Sequence, residues 1–149
     1  MLRRIACLVP LLAVLALASG CAVNRTSASL TPDTELGRFK SFYVVKVPSD
    51  ERAIDKLISD NLQKRGFRVT GGAQPTSAPA GVDALVTYND KWTWDITMYM
   101  VELTINFRDP KTNFSMAKGN SYHTSLTRLS PPEMVNEVLT NIFTTNDRK

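Results

Sequence analysis

The single histidine of this 149-residue chain is the first residue to consider for catalysis. His123 lies two residues from Ser121 and two from Ser125, so in a strand all three side chains share one face. An imidazole can activate a serine hydroxyl only when a carboxylate orients it, and this segment contains none. A G-x-S-x-G nucleophile elbow is also missing from the sequence. The simpler interpretation is a histidine at the surface of a sheet, and we expect no catalytic residue and no enzyme.

Three aspartates could suggest a calcium site or the carboxylate pair of a glycosidase. Asp83, Asp90 and Asp95 lack the alternate-position acids and the central glycine of a calcium loop. One histidine cannot form a multi-histidine metal site, and two cysteines do not form a disulfide framework. We therefore expect no metal and no cofactor, and we interpret these aspartates as solvated charges at strand ends.

A third group of residues is aromatic or sulfur-containing. Alternation along a strand places Tyr88, Trp92 and Trp94 on one face, and Met98 and Met100 continue from it onto the polar face of the next strand. These side chains either fill the core beneath a helix or form an adaptable apolar surface for a protein, lipid or glycan. Polar residues on the opposite face favour the core. All five remain candidate binding residues.

The amino-terminal segment has the composition of an export signal. Two arginines precede the uncharged apolar stretch Ile5–Ala18, which at 14 residues is shorter than the roughly 20 that a membrane-spanning helix needs. Residues 17–21, Leu-Ala-Ser-Gly-Cys, resemble the lipobox of bacterial lipoproteins. That resemblance implies that residues 1–20 are a signal peptide and that the thiol of Cys21 carries diacylglycerol.

Two details qualify this resemblance. Ala18 stands where the lipobox most often has leucine, although Leu17 is adjacent. Ordinary signal cleavage after residues 16–18, Ala-Leu-Ala, is the alternative, and it would leave Cys21 as a free thiol. Ala22 occupies the position where lipoproteins of the inner membrane often carry aspartate, so the resemblance implies the periplasmic face of the outer membrane. Several acyl chains would give a stable anchor.

The net charge of +4 is partly a property of this signal. Removal of residues 1–20 takes away two arginines and no acid, so the remaining chain carries only +2. This charge is small and evenly spread, which does not favour a nucleic-acid partner.

Composition divides the remaining chain into two parts. Residues 21–37 are rich in serine and threonine and predict a flexible tether, whereas residues 38–149 predict a single domain. The predicted elements are a strand at 41–47, a helix between Ser49 and Gly66, a strand at 67–70, three strands at 83–95, 97–108 and 114–125, and a helix that begins after Ser130.

This order, β-α-β-β-β-β-α, predicts an α+β two-layer sandwich. We expect a mixed, largely antiparallel sheet of about five strands with two helices on one face. From Tyr99 to Arg108 the odd-numbered side chains are apolar or aromatic, and they alternate with Met100 and four polar residues, which indicates one packed and one solvated face. Ser49 is the expected N-cap of the first helix, and Ser130 with Glu133 forms a capping box for the second.

Four short motifs of this domain carry a resemblance: Phe-Lys-Ser-Phe at 39–42, Leu-Gln-Lys-Arg-Gly-Phe at 62–67, Asp-Ala-Leu-Val-Thr-Tyr at 83–88 and Asp-Pro-Lys-Thr-Asn at 109–113. With the final helix, they resemble a broad set of small bacterial outer-membrane lipoproteins of uncharacterised function. The topology also looks like that of envelope proteins that work by docking, such as lipoprotein activators of cell-wall synthases.

From these observations we expect a non-enzymatic, lipid-anchored cell-envelope protein that acts through protein–protein interaction in the periplasm. Its expected partners are the membrane, through the amino-terminal lipid, and an envelope protein. The alternative is a module that binds lipid or glycan through the aromatic strand face.

Overall fold

The computed structural model describes residues 24–147. The expected signal peptide and Cys21 lie outside the described residues. The strands are β1 (Arg25–Leu30), β2 (Ser41–Val45), β3 (Arg68–Gly72), β4 (Ala84–Asp95), β5 (Thr97–Arg108) and β6 (Ser115–Tyr122). The helices are α1 (Ile54–Lys64) and α2 (Pro131–Asp147), and single 3-10 turns occur at Leu36–Arg38 and Ser125–Thr127.

The strands form one mixed sheet in the order β1-β6-β5-β4-β2-β3. Strand β2 is parallel to both of its neighbours, and the other pairs are antiparallel. The α+β fold predicted from the sequence is confirmed, although the sheet has six strands within the described residues rather than about five. Strands β2 to β6 and the two helices follow the predicted order, and β1 is added before them.

Both helices pack into one hydrophobic core with the sheet. Helix α1 buries Ile54, Ile58 and Leu62, which recur at the predicted helical spacing. Helix α2 packs against β6 at Gly119, where an added Cβ would lie 2.8 Å from side-chain atoms of Val138 and Ile142. The helix therefore approaches the sheet closely only because this position has no side chain.

The prediction of a flexible tether at residues 21–37 is wrong for residues 24–37, the part of it that the structure describes. The segment from Arg25 to Leu30 is β1, which pairs in register with β6, and Leu36 is fully buried in the core. The sequence Arg-Thr-Ser-Ala-Ser-Leu has little apolar content, so its own pattern predicts no strand. Backbone hydrogen bonds to β6 stabilise it, together with contacts that Ala28 and Leu30 make with the core.

Strand β5 also departs from the predicted alternation. Leu103, Ile105 and Phe107 are buried as expected, but Met100 is buried as well, at 1% exposure. The pairing shifts between Lys91–Glu102 and Trp92–Met100, so Val101 is an extra residue, a β-bulge. Because one inserted residue exchanges the two faces of a strand, Met100 points to the core rather than to the polar face.

The helix ends follow the sequence in part. Glu133 accepts a hydrogen bond from the backbone N–H of Ser130 at 2.8 Å, as the capping box predicts, and a second one from the Ser130 hydroxyl at 2.6 Å. The predicted N-cap at Ser49 is wrong, because α1 begins at Ile54 after a left-handed residue, Ala53. The side chain of Asp50 instead binds backbone N–H groups of the preceding loop and of the first helical turn.

Candidate functional site

A polar cluster forms where β6 meets α2, with Ser121 and His123 buried and Glu137 partly exposed. The hydroxyl of Ser121 donates to Oε2 of Glu137 at 2.5 Å, and Nε2 of His123 lies 2.9 Å from the same oxygen. Strand alternation places Ser121 and His123 on one face as predicted, and α2 supplies the carboxylate that the strand itself lacks. Ser125 lies in the following 3-10 turn, outside this cluster.

This arrangement differs from a catalytic triad in two respects. In a triad the imidazole stands between the nucleophile and the acid, whereas here the carboxylate of Glu137 binds Ser121 and His123 at one oxygen. Ser121 has no exposed surface and His123 has 4%. The Ser121 hydroxyl donates to a carboxylate and has no surface that a substrate could reach, so the geometry supports a structural role that joins α2 to the sheet.

The three aspartates considered from the sequence lie apart and have separate roles. Asp83 accepts hydrogen bonds from the N–H groups of Lys40 and Ser41 at 2.7 and 2.9 Å, and so attaches the start of β4 to β2. Asp90 accepts from the indole of Trp92, and Asp95 ends β4. Among the residues that the structure covers, no group of three potential ligands could hold a metal ion.

The predicted aromatic face is covered at one end and exposed at the other. Tyr88 is buried, and its hydroxyl donates to Asp50 at 2.6 Å, which attaches the loop between β2 and α1 to the sheet. Trp92 is half-buried, with the guanidinium of Arg52 from that loop 4.2 Å from its ring centroid. With Met100, these side chains belong to the core or its edge.

The same loop sets the electrostatics of this end. Burial raises the pKa of Asp50, but hydrogen bonds from the Tyr88 hydroxyl and from the N–H groups of Asp55 and Arg52 outweigh it, so the pKa is lowered. Burial, followed by the bond to the Asp50 carboxylate, raises the pKa of Tyr88 well above its usual range. The phenol therefore stays protonated and donates to Asp50.

The uncovered end of the aromatic face is the β4–β5 hairpin. Trp94 is 71% exposed, and its cross-strand partner Met98 is 47% exposed. Ile96 forms the turn between them with 85% exposure and a φ of 48°. A β-branched residue rarely adopts this left-handed conformation, which glycine or asparagine would occupy more easily. The turn thus presents a large apolar side chain to solvent despite the backbone strain.

A second exposed apolar residue belongs to the same end of the domain. Leu126, with 85% exposure, lies in the 3-10 turn that follows β6. Arg128 joins this turn to the hairpin, because its guanidinium donates to Thr97 Oγ1 at 2.8 Å and stacks 5.0 Å from the ring centroid of Tyr99. We call Trp94, Ile96, Met98 and Leu126 the hairpin patch.

Comparison with known proteins places this geometry in a known fold. No protein-family model and no curated protein matches the chain. Among solved structures, it is similar to two crystal structures of the PelC dodecamer from Paraburkholderia phytofirmans. One, of a point variant, has 13% identity and a TM-score of 0.57, and it covers 80% of this chain and 97% of that one. The other has 12% identity, a TM-score of 0.56 and the same coverage.

The chain has a PelC-like fold. At these identities the likeness to PelC concerns the fold alone. No helix among residues 24–147 is long and apolar enough to cross a membrane.

Sequence reasoning selected two of the four residues of the hairpin patch, Trp94 and Met98. It missed Ile96 and Leu126, and it missed Glu137 as the partner of His123. For Ile96 a signal was present, since an isoleucine between Asp95 and Thr97 is an unusual residue for a hairpin turn. The roles of Leu126 and Glu137 depend on how β6 and α2 pack in the tertiary structure, so the sequence alone does not indicate them.

Proposed function

We propose that this chain is a non-enzymatic lipoprotein, anchored through Cys21 on the periplasmic face of the outer membrane, that acts by protein–protein contact. The lipobox-like residues 17–21 support the anchor. The Ser121–Glu137–His123 cluster supports a structural rather than a catalytic role for these residues, since the hydroxyl is buried and bonded to a carboxylate. The observation that carries the proposal is the open outer edge of β1.

Strand β1 ends the sheet on one side, so one of its edges has no strand partner among the described residues. The N–H of Thr31, just beyond β1, donates to the carbonyl of Met116 at 2.9 Å. By the alternation of an antiparallel ladder, the N–H groups of Thr26, Ala28 and Leu30 then point away from β6. Such an edge is a template for pairing with a strand of another chain.

The first partner that we propose is a second copy of this chain. Both PelC structures with the same fold are dodecamers, so this fold is compatible with self-assembly. Edge pairing through β1 would bury the free N–H and C=O groups of a six-residue strand that contains no proline or lysine, the residues by which exposed edges are commonly protected.

The full chain, purified from membranes in detergent, tests this proposal by light scattering and mass photometry. Thr26→Pro removes an outward N–H without breaking a bond to β6, and we expect it to reduce the assembly to monomers. Thr26→Val keeps the N–H and is the matched control. A photo-crosslinker at Thr26 in cells should capture a second copy; a monomeric native chain with no crosslinked protein would reject the proposal.

The lipid anchor needs its own test, because lipidation of Cys21 and protein–protein contact through β1 are separate properties. Metabolic labelling with a fatty-acid analogue should modify the native chain, and Cys21→Ala should abolish the label and release the protein from membranes. Persistent labelling of the Cys21→Ala variant would show that the lipid is attached at another residue and would reject the anchor at Cys21.

A second candidate function is lipid binding through the exposed part of the aromatic strand face. The observation that favours it is the exposure of Trp94 and Met98 in the hairpin patch, whereas Tyr88 and Met100 are buried. The exposed half of the face extends from the end of the sheet rather than lining a covered groove, so a lipid surface suits it better than a single enclosed molecule.

A further inference from the structure

The path of β1 relates the hairpin patch to the amino terminus. Strands β1 and β5 are both antiparallel to β6, so they run in the same direction. Arg25 is level with Glu102, through Tyr122, and Leu30 is level with Phe107, through Ala117. The chain before Arg25 therefore enters the domain from the side on which β5 begins, which is the hairpin end.

A hydrogen bond fixes this entry point beside the patch. The hydroxyl of Thr127 donates to the side chain of Asn24, the first residue that the structure describes. Thr127 follows Leu126 directly, and Arg128 connects the same turn to Thr97 of the hairpin. The amino-terminal entry and the hairpin patch thus belong to one end of the domain.

Covalent geometry limits how far the anchor can be from this end. Cys21 is three residues before Asn24, and successive Cα atoms are 3.8 Å apart, so the two Cα atoms are at most about 11 Å apart. A lipid on Cys21 would insert in a bilayer close to Asn24. The distance from Asn24 to the bilayer surface is limited by this span of chain plus the length of the lipid linkage. The bilayer would then face the end that carries Trp94, Ile96, Met98 and Leu126.

We propose that the hairpin patch contacts the bilayer in which Cys21 is anchored, so that the domain stands on the membrane by its hairpin end. This inference rests on the lipidation in the proposed function and adds an orientation to it. Tryptophan is favoured at the membrane–water interface, and isoleucine, leucine and methionine suit the acyl boundary beneath it. Arg128 beside the patch can bind anionic headgroups, whereas Asp95 opposes this attraction.

This occupant accounts for the shape of the patch better than a second copy does. The apolar side chains project from a hairpin turn and a separate 3-10 turn, an uneven outline that a fluid lipid surface accommodates without a complementary partner. The orientation also leaves the outer edge of β1 free along the side of the domain, because the strands run away from the patch.

The opposite end of the sheet provides an internal control. Strand β5 has 12 residues, so its two ends are about 37 Å apart. Phe114, which is 60% exposed, lies in the turn between β5 and β6 at the far end. An exposed aromatic residue there should remain in water when the hairpin end touches the membrane.

Fluorescence quenching in vesicles tests the orientation with the full lipidated chain. The chain is reconstituted in vesicles of phosphatidylethanolamine and phosphatidylglycerol, with and without brominated acyl chains. Trp92→Phe leaves Trp94 as the only tryptophan, since the chain has two. The control carries Trp92→Phe, Trp94→Phe and Phe114→Trp, and circular dichroism verifies that both proteins are folded.

We expect brominated lipid to quench Trp94 at least about twofold and to leave the tryptophan at position 114 unchanged. Equal quenching at both positions, or none at Trp94 in a chain that floats with the vesicles, would overturn the inference while the anchor stands. Emission from Trp94 that shifts to the blue with protein concentration but not with brominated lipid would assign the patch to a second copy. A chain that does not float with vesicles would refute both the anchor and the orientation.

Discussion

The hydroxyl of Tyr88 donates a 2.6 Å hydrogen bond to the carboxylate of Asp50, and the same hydroxyl accepts from the N–H of Val47 at 3.3 Å. One side chain of the sheet thus holds the loop between β2 and α1 at two points, the carboxylate of Asp50 and the N–H of Val47. The bond explains why part of the aromatic face is covered while the hairpin end is left open.

Replacement of Tyr88 by phenylalanine tests this relationship. We expect Tyr88→Phe to lower the free energy of unfolding by about 1–2 kcal/mol, because Asp50 loses a hydrogen bond and the N–H of Val47 loses its acceptor. Urea unfolding monitored by tryptophan fluorescence measures the change. Tyr43→Phe is the control: its hydroxyl binds the carbonyl of Ala73 at 2.9 Å on the exposed surface, and its loss should cost less. Equal effects would reject the role of Tyr88.

Acid should weaken the link between β2 and β4. The N–H of Lys40 and the N–H and hydroxyl of Ser41 lower the pKa of Asp83 below its usual 3.8, against the opposing effect of burial. Its contribution to stability is therefore complete above the unfolded pKa and is lost as the pH falls through the lower, folded pKa. Asp83→Asn should reduce the fall in unfolding free energy in this acid range. A variant with the same acid dependence as the native chain would contradict the assignment.

The bulge at Val101 predicts different costs for two methionines on one strand. Met100 is 1% exposed and Met98 is 47% exposed. We expect Met100→Ala to destabilise the domain by about 2–4 kcal/mol through loss of core contacts, and Met98→Ala to change stability by less than about 0.5 kcal/mol. Thermal unfolding of the two variants compares them directly. Similar costs would mean that β5 keeps an uninterrupted alternation.

The close contact between α2 and β6 should leave no room for a side chain at position 119. A Cβ there would lie 2.8 Å from Ile142 and Val138, so Gly119→Ala should destabilise the domain by about 1–3 kcal/mol. Gly37→Ala is the control, because the nearest atom to its added Cβ, on Asn146, is 4.0 Å away. Calorimetry of both variants gives the difference. A neutral Gly119→Ala would show that the helix lies farther from β6.

The hairpin turn should become more stable when its apolar residue is removed. Ile96 has a φ of 48°, which asparagine adopts more readily, so Ile96→Asn should raise the unfolding free energy by about 1 kcal/mol. Leu126→Asn is the control, because it also replaces an aliphatic residue that is 85% exposed, but at a position without positive φ. It should not raise the unfolding free energy. Chemical denaturation measures both. A destabilised Ile96→Asn variant would mean that the isoleucine supports the fold rather than an external contact.

The elements with a strong local pattern could be predicted from the sequence. Apolar residues at helical spacing predicted α1 and the stripe of α2, strict alternation predicted β5, and the turn residues at 109–113 predicted the returning strand β6. Gly66 ends α1 with a φ of 92°, as the sequence indicates, because this left-handed position needs no contact with the rest of the fold. Such signals depend on a residue and its near neighbours, so they are present in the sequence before any packing occurs.

Other features depend on partners that are distant in the chain. The polar residues of β1 form a strand because β6 offers its edge, and Val101 becomes a bulge because the pairing register of β4 and β5 shifts by one residue there. For the candidate site, the sequence identified the alternating face from Tyr88 to Trp94 but not which part of it is covered. A periodic pattern specifies the faces of a strand; the loop that carries Asp50 and Arg52 decides which part of one face is withdrawn from water, and only the tertiary structure brings that loop into place.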